Sequence, residues 1–292
     1  MLLIYTKHIT SRLQYIAGEL WGNNVLLTSN CHEFLNHYGD KIAYSEEPIA
    51  EDALHIQPYG LLEATDIEPQ NTSCFTWQGL PVFFGTEKGS IPFDLFSAAF
   101  YLVTRYEEYL PHNKDEYDRY LFSESIAYRG NFLHLPLIQL WMKALPNKAF
   151  HSSTNSFQFL PTYDIDIAYA YTHQPLWKNV LGFYRDLLKV DIDKVSERIN
   201  IYSGRKKDPF DVFDWLDALH QKFHLQPVYF FLTILQRGLY DKNINSHNRS
   251  LQKLYKQLAS KYNNGLHPSW QSGEHGFDAL LNKEKQQLEK II

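Results

Sequence analysis

The sequence predicts a two-domain α/β protein, and three observations support this. With 292 residues, the chain is long enough for two domains of ordinary size. A polar, turn-rich run at residues 146–156 interrupts the predicted helices and strands, as linkers between domains do. After this run, strands and helices alternate, which is typical of a parallel sheet joined by right-handed crossovers. We therefore place the boundary at residue 152 and predict domains at 1–152 and 153–292.

The first domain begins with an apolar segment, LLIYT at residues 2–6, that predicts a strand. Ser11 is the expected N-cap of an amphipathic helix that reaches about Leu20. The longest helical pattern covers residues 92–110, with Pro92 in its first turn. The other predicted elements of this domain are strands at 25–28 and 54–57, a hairpin of 75–77 with 81–84, and a helix at 135–145.

The second domain begins with a strand at 157–166, in which Pro161 indicates an edge strand or a bulge. Asp208 and Pro209 are typical of an N-cap and a first helical residue, so a helix is predicted to begin there. The apolar segment QPVYFFLT, 226–233, predicts a parallel strand buried on both faces. Further helices are predicted at 176–190, 194–202, 250–262 and 278–292, with a turn at 263–265 and a third strand ending at His267.

Composition argues against several classes of protein. The net charge is −5 and the sequence has no basic block, which argues against nucleic acid as a partner. The two cysteines, Cys31 and Cys74, are too few for a disulfide framework. No stretch approaches the ~18 apolar residues of a membrane span, so we expect a cytoplasmic protein.

Two carboxylates lie two residues apart at the end of the first strand of the second domain. In an extended chain, positions i and i+2 face the same side, so Asp164 and Asp166 should point together. Paired carboxylates repel each other unless a metal ion, another cation or a proton lies between them. The pattern therefore indicates a site, although an aspartate pair can also cap the next helix or face solvent.

A histidine ends the third predicted strand of this domain. In parallel α/β folds, functional groups gather at the carboxyl ends of the strands, so His267 is expected near Asp166. Carboxylate oxygen and imidazole nitrogen together suit a divalent ion such as Zn²⁺. A histidine at a strand end can equally be a hydrogen-bonded polar residue, and this alternative stays open.

Three segments resemble a known family. They are TYDID at 162–166, PVYFF at 227–231 and GLHPS at 265–269, and they resemble the polysaccharide deacetylases of carbohydrate esterase family 4. The likeness is closest to a two-domain bacterial branch of these proteins. In that branch, a stretch similar to residues 91–110 precedes the deacetylase part, so the resemblance covers most of the chain.

The resemblance implies a fold, a reaction and a ligand. The fold would be an N-terminal α/β domain followed by a partial (β/α) deacetylase-type barrel. The reaction would be metal-dependent removal of N-acetyl groups from a polysaccharide or amino sugar, with Asp164 as general base. Asp166 and His267 would bind the metal, which is expected to be zinc, with cobalt or manganese as alternatives. Residues expected to contact the substrate or support the ligands are Ser269, Trp270, Ser272 and His275.

The sequence departs from the family pattern in two respects. Gln271 occupies the position where members commonly have a second histidine, so His275, a water or nothing would be the third ligand. The family barrel also needs further strands and a late acid group, so this half is expected to be incomplete or to continue past Ile292. We therefore expect weak zinc binding and no measurable turnover from these 292 residues.

Two other functions compete with the deacetylase. A pseudoenzyme would keep the fold and bind a glycan without cleaving it. A glycosyltransferase would use Asp164 and Asp166 to hold Mn²⁺ and a sugar nucleotide, but it gives His267 no role. Three parallel strands would also leave apolar surface exposed, so the N-terminal domain, the last helix or a second copy in a homo-oligomer is expected to cover it.

Overall fold

The computed structural model describes residues 1–146, 158–235, 240–273 and 278–292. The chain divides into two compact units, Met1–Ser156 and Phe157–Ile292. The predicted boundary at residue 152 lies outside the described residues. Both units are mixed α/β, as predicted, and the parallel sheet predicted for the second unit is present; the first unit also has a parallel sheet, which the sequence did not predict.

The first unit is built on a four-stranded parallel sheet. Its strands are β1 (Leu2–Thr6), β2 (Val25–Thr28), β3 (Lys41–Tyr44) and β4 (Leu54–Ile56), in the order β2-β1-β3-β4. Helix α1 (Ser11–Trp21) connects β1 to β2 and buries Leu13 and Ile16 against the sheet. Its N-cap is Thr10, whose hydroxyl accepts a hydrogen bond from the Leu13 N–H, so the prediction of Ser11 was wrong by one residue.

A buried carboxylate begins the central helix of this unit, α3 (Leu95–Val103). Asp94 is fully buried and caps the helix by accepting hydrogen bonds from the N–H and hydroxyl of Ser97. It also accepts from the Tyr44 hydroxyl and the Tyr59 N–H, both at 2.8 Å. These donors offset part of the cost of burying the carboxylate, although burial still raises the pKa of Asp94, and the Tyr44 contact ties α3 to β3.

The helix predicted at 92–110 is shorter in the structure. It starts after Asp94 and not at Pro92, and it ends at Val103. Arg105 then takes a left-handed conformation, with φ of 52°, which stops the α-helix and starts a 3₁₀ turn at Tyr106–Tyr109. The other elements of this unit are α2 (Cys31–Leu35), β5 (Phe75–Trp77), β6 (Leu80–Val82), α4 (Ile126–Arg129) and α5 (Leu137–Ala144).

The second unit contains a three-stranded parallel sheet. Its strands are β7 (Thr162–Ile165), β8 (Val228–Leu232) and β9 (Asn263–His267), in the order β7-β8-β9. Strand β7 lies at an edge, as Pro161 predicts, and the Pro161 carbonyl accepts a hydrogen bond from Val228. The helices are α6 (Leu176–Leu188), α7 (Ile192–Tyr202), α8 (Phe213–Phe223), α9 (Arg249–Ala259) and α10 (Asp278–Ile291).

The turn predicted at 263–265 is wrong, because these residues form the first part of β9. Gly265 pairs with Phe230 on β8, and the Phe230 ring lies over it. A Cβ atom at Gly265 would be 2.9 Å from two ring carbons, closer than side-chain atoms pack. Glycine is therefore needed here for a close approach between strands, and not for a turn.

The aspartate predicted to begin α8 has a different role. The helix begins at Phe213, and Asp208 instead accepts hydrogen bonds of 2.8–2.9 Å from the N–H groups of residues 170–172 and the Thr172 hydroxyl. Burial raises the pKa of Asp208, but these backbone hydrogen bonds outweigh it and lower that pKa overall. The carboxylate therefore fixes the loop that follows β7.

The second unit has its own core and an exposed apolar surface. Helices α9 and α10 pack on the sheet, with Phe231 stacked on Tyr255 at 4.3 Å and with Leu288 and Ile291 buried. Helix α6, in contrast, exposes large apolar side chains, as expected for a three-stranded sheet whose core is small. These exposed side chains are Leu176, Trp177, Val180, Leu181, Tyr184, Leu187 and Leu188.

A buried histidine makes the stability of the second unit depend on pH. His220 on α8 is 1% exposed, and its Nε2 lies 2.9 Å from the Tyr163 hydroxyl. Burial lowers the pKa of His220, so below about pH 6.5 the unfolded state binds its proton more readily than the folded state. The stabilisation is complete above that pH and is lost as the pH falls.

We therefore expect the protein to be less stable towards urea at pH 5 than at pH 8, partly because of His220. The His220→Gln variant cannot gain this proton. Between pH 8 and pH 5, the free energy of unfolding should therefore fall less for the variant than for the wild type. An equal difference at both pH values would show that His220 does not contribute.

Candidate functional site

The candidate site lies where β7 and β9 end. Asp166 follows directly after β7, and His267 is the last residue of β9. The strands are parallel, so their carboxyl ends meet at one edge of the sheet, with Leu232 of β8 paired beside His267. The structure brings Asp166 Oδ1 and His267 Nε2 to 3.3 Å. Asp166 is exposed and His267 is about two-thirds buried.

The environment of the other ring nitrogen of His267, Nδ1, indicates where the imidazole carries a proton. Its Nδ1 lies 2.8 Å from the Pro268 carbonyl oxygen, which can only accept a hydrogen bond. Nδ1 therefore carries a proton. In the neutral form of His267, Nε2 presents a lone pair to the Asp166 carboxylate, whereas in the protonated form Nε2 donates to it. Two lone-pair donors at this distance need a proton or a cation between them.

The distance fits a metal ion bound by both side chains. Zn²⁺ takes imidazole nitrogen and carboxylate oxygen at about 2.0–2.2 Å, which places two ligand atoms of a tetrahedral site about 3.4 Å apart. The hydrogen bond from Nδ1 to a backbone carbonyl is also the usual support for a histidine ligand. A protonated His267 paired with Asp166 satisfies the same geometry without a metal.

A buried asparagine holds Asp166 in place. The side-chain amide of Asn243 donates to the Ile165 carbonyl at 3.0 Å, and its oxygen accepts from the Ala168 N–H at 3.3 Å. These two contacts bracket residues 166 and 167. Asn243 also donates to the Tyr255 hydroxyl, at 3.2 Å.

The network continues to the central strand. The Tyr255 hydroxyl donates to the Leu232 carbonyl at 3.0 Å, so Asn243 and Tyr255 join the ends of β7 and β8. Both side chains are fully buried. Backbone polar atoms at the carboxyl edge of the sheet have no further strand residue to pair with. Asn243 and Tyr255 give these atoms their hydrogen-bond partners.

Asp166 and His267 line a cavity of about 350 Å³. Asp241 also lines it and accepts a hydrogen bond from the Trp270 N–H at 3.1 Å. The rings of Tyr240 and Trp270 contact each other, with centroids 4.5 Å apart, and form an aromatic part of the wall. The cavity therefore combines two carboxylates, an imidazole, the lysine side chain of Lys242 and two aromatic rings.

The other predicted site residues lie in different environments. Asp164 is exposed on β7, has no described hydrogen bond or ion pair, and is not part of the cavity wall. Ser269 is buried, and its N–H donates to the buried carboxylate of Glu284. The Ser269 hydroxyl accepts from the Ser272 N–H, so both serines stabilise the 3₁₀ turn at Trp270–Gly273. His275 lies outside the described residues.

The described part of the chain supplies two of the side chains that a zinc site needs. Within residues 1–146, 158–235, 240–273 and 278–292, no three His, Cys, Asp or Glu side chains are close enough together to share a metal ion. The predicted ligands Asp166 and His267 are in contact, but their role as ligands stays a prediction.

Sequence reasoning did not identify Asp241 or Asn243. Asp241 follows the central strand β8, and the rule that strand ends carry function could have identified it. Asn243 has no such signal, since one asparagine in a polar loop gives no indication that it is buried.

The family model that matches this chain describes a family of unknown function, DUF7033, and it covers residues 2–154, just over half of the 292 residues. The chain belongs to this family. No curated protein and no solved structure matches the chain. The matched residues correspond to the first unit, whereas the candidate site lies in the second. In the part of the chain that the structure describes, every helix is too short or too polar to cross a membrane.

Removing the Asn243 side chain should destabilise the second unit. In Asn243→Ala, the Ile165 carbonyl and the Ala168 N–H lose their partner while they stay buried, which costs about 1–3 kcal/mol. Urea unfolding would measure the loss. Asn263→Ala is the control, because Asn263 is exposed and has no described side-chain hydrogen bond. If both variants lose equal stability, Asn243 is not the structural link described above.

Proposed function

We propose that the second unit is a metal-dependent hydrolase that removes N-acetyl groups from a carbohydrate. The observation that carries the proposal is the 3.3 Å contact between Asp166 Oδ1 and His267 Nε2 at the carboxyl edge of a parallel sheet, with the other ring nitrogen of His267 held by the Pro268 carbonyl. The three parallel strands and their helices support a partial (β/α) barrel as the fold of this unit. The resemblance of its three segments to polysaccharide deacetylases agrees with this geometry.

Each side chain has a role in this proposal. Asp166 and His267 hold the metal, and zinc suits one oxygen and one nitrogen ligand best, with cobalt or manganese as alternatives. A bound ion would lower the pKa of water and polarise the amide oxygen. Asp164 lies two residues before Asp166, about 6.6 Å along the strand, and has no described partner that would compete for a proton. It is therefore available as the general base.

The cavity wall supports a carbohydrate as the ligand. Tyr240 and Trp270 are both partly exposed and present ring faces beside Asp166 and His267. The C–H face of a sugar ring is apolar, so it can pack on an aromatic ring while its hydroxyl groups bind polar side chains. The predicted cytoplasmic location and homo-oligomer stay predictions.

A glycan-binding protein without catalytic activity is the second candidate. The small number of metal-binding side chains favours it, since the described residues bring only one carboxylate and one imidazole into contact. Gln271, at the position of the family's second histidine, adds no strong ligand.

Zinc binding tests the metal site directly. We expect weak binding, because each missing protein ligand is replaced only by water, and we expect Asp166→Asn and His267→Gln to abolish it. A competition assay with a chromophoric chelator would measure the affinity. His247→Gln is the matched control, because His247 is an exposed histidine of the same unit with no described side-chain contact. Unchanged zinc affinity in His267→Gln would exclude His267 as a ligand.

Acetate release separates the two candidate functions. The assay uses N-acetylated oligosaccharides with added Zn²⁺ or Co²⁺ and compares wild type with Asp164→Asn. Release that Asp164→Asn abolishes, and that the exposed control Asp193→Asn retains, supports the hydrolase. We expect no measurable release, because the described residues bring one carboxylate and one imidazole into contact, and glycan binding without acetate release would support the non-catalytic protein. Acetate release that persists in Asp164→Asn would show that another group is the base.

A further inference from the structure

A second cavity of the second unit adjoins the candidate site. It has a volume of about 590 Å³, and it shares Ile167 and Lys242 in its wall with the cavity that holds Asp166 and His267. The second cavity lies along α6 and α7 and the loop after β7. The two cavities are therefore neighbours in this unit.

The second cavity is strongly cationic. Five basic side chains and one carboxylate line it, although the chain as a whole has a net charge of −5. The basic side chains are Lys178, Arg185, Lys194, Arg198 and Lys242, and the carboxylate is Asp186. Positive charge concentrated in one concave surface of an acidic protein attracts anionic ligands.

One of the two arginines in this wall, Arg198, is held rigidly. Arg198 is 7% exposed, donates to the Asp186 carboxylate at 2.7 Å, and lies over the Tyr171 ring at 4.7 Å. A Cβ atom at Gly182 would be 2.8 Å from a guanidinium nitrogen, so this glycine leaves the space for the arginine. The Nε atom of Arg198 is buried and has no hydrogen-bond partner among the described residues. A buried cation held in this way keeps its charge and position whether or not a ligand is present.

Part of the charge of this wall is balanced within the chain, because Arg185 also contacts Asp186 and Lys194 contacts Asp191 at 2.9 Å. Asp186 is the carboxylate nearest Arg198, and hydrogen bonding to that guanidinium holds the pKa of Asp186 below its usual range, so the pair is fully ionised at neutral pH.

Lys242, at the junction of the two cavities, is exposed and has no described ion pair. No described ion pair therefore balances its charge, although Asp166 and Asp241 line one of the two cavities that it borders.

The same cavity has aromatic side chains. Trp177 and Phe210 line it, with 59% and 47% of their surfaces exposed. Exposed rings between cationic side chains suit a ligand that has both flat apolar faces and negative charge. An acidic sugar has both properties.

We propose that this cavity binds the carboxylate of an acidic sugar next to the N-acetylated sugar held at Asp166 and His267. The ligand is then an acidic, N-acetylated polysaccharide. The part of this inference that concerns the N-acetylated sugar rests on the proposed function. The preference for a negatively charged ligand depends only on the cationic cavity.

The test is binding measured by isothermal titration calorimetry in the presence of a chelator. Two probes differ in charge but share N-acetyl groups: a hyaluronan tetrasaccharide, which alternates N-acetylglucosamine with glucuronate, and the neutral chitotetraose. We expect the hyaluronan tetrasaccharide to bind about tenfold more tightly. Equal affinity for the two probes would overturn the proposal.

A charge-removing variant locates the effect. Lys178→Gln removes one charge from the wall of the second cavity alone, so it should weaken hyaluronan binding about twofold to fivefold, as expected for one charge pair, and should leave chitotetraose binding unchanged. Lys253→Gln removes the same charge from an exposed position on α9 that lines neither cavity, and it should change neither affinity. Equal effects of the two variants on hyaluronan binding would also overturn the proposal.

The Asp166→Asn variant separates this inference from the proposed function. It removes a metal ligand, so it should lose any acetate release, but it should keep the preference for the hyaluronan tetrasaccharide. Acetate release from chitotetraose without that preference would overturn the inference and leave the hydrolase intact. The preference without acetate release would support the inference and count against the hydrolase.

Discussion

The second unit depends on one buried side chain at the edge of its sheet. A parallel sheet leaves unpaired backbone groups where its strands end, and a functional site at that edge needs these groups satisfied without filling the site. Asn243 does this by bonding to the backbone on both sides of residues 166 and 167, and Tyr255 extends the network to β8. The Asp166 carboxylate is then free to face His267.

Two further carboxylates support the same edge from outside it. Asp208 holds residues 170–172 through backbone hydrogen bonds, and Asp186 holds the Arg198 guanidinium. Both have lowered pKa values for that reason, although burial opposes the change at Asp208. The loop after β7 therefore lies between a fixed carboxylate and a fixed cation, and it forms part of the wall of both cavities.

The family assignment and the candidate site concern different parts of the chain. The family model matches residues 2–154, where Asp94 and an aromatic core hold a four-stranded sheet together. The acidic pair, His267 and the cationic cavity all lie in the second unit. Membership of a family of unknown function therefore leaves the chemistry to be argued from the side chains of the second unit.

Sequence alone determined the α/β class, the parallel sheet of the second unit and the convergence of Asp166 with His267, because strand-end positions follow from hydrophobic runs and from the direction of parallel strands. It did not determine local details such as the cap of α1, the strand at Gly265 or the loop role of Asp208. Each of those depends on one neighbour that is distant in sequence or on a single hydrogen bond. The tertiary structure alone decided that Asn243 holds the sheet edge and that α6 and α7 gather basic residues around Arg198. Burial and charge at these positions arise from packing between segments, and no local pattern records them.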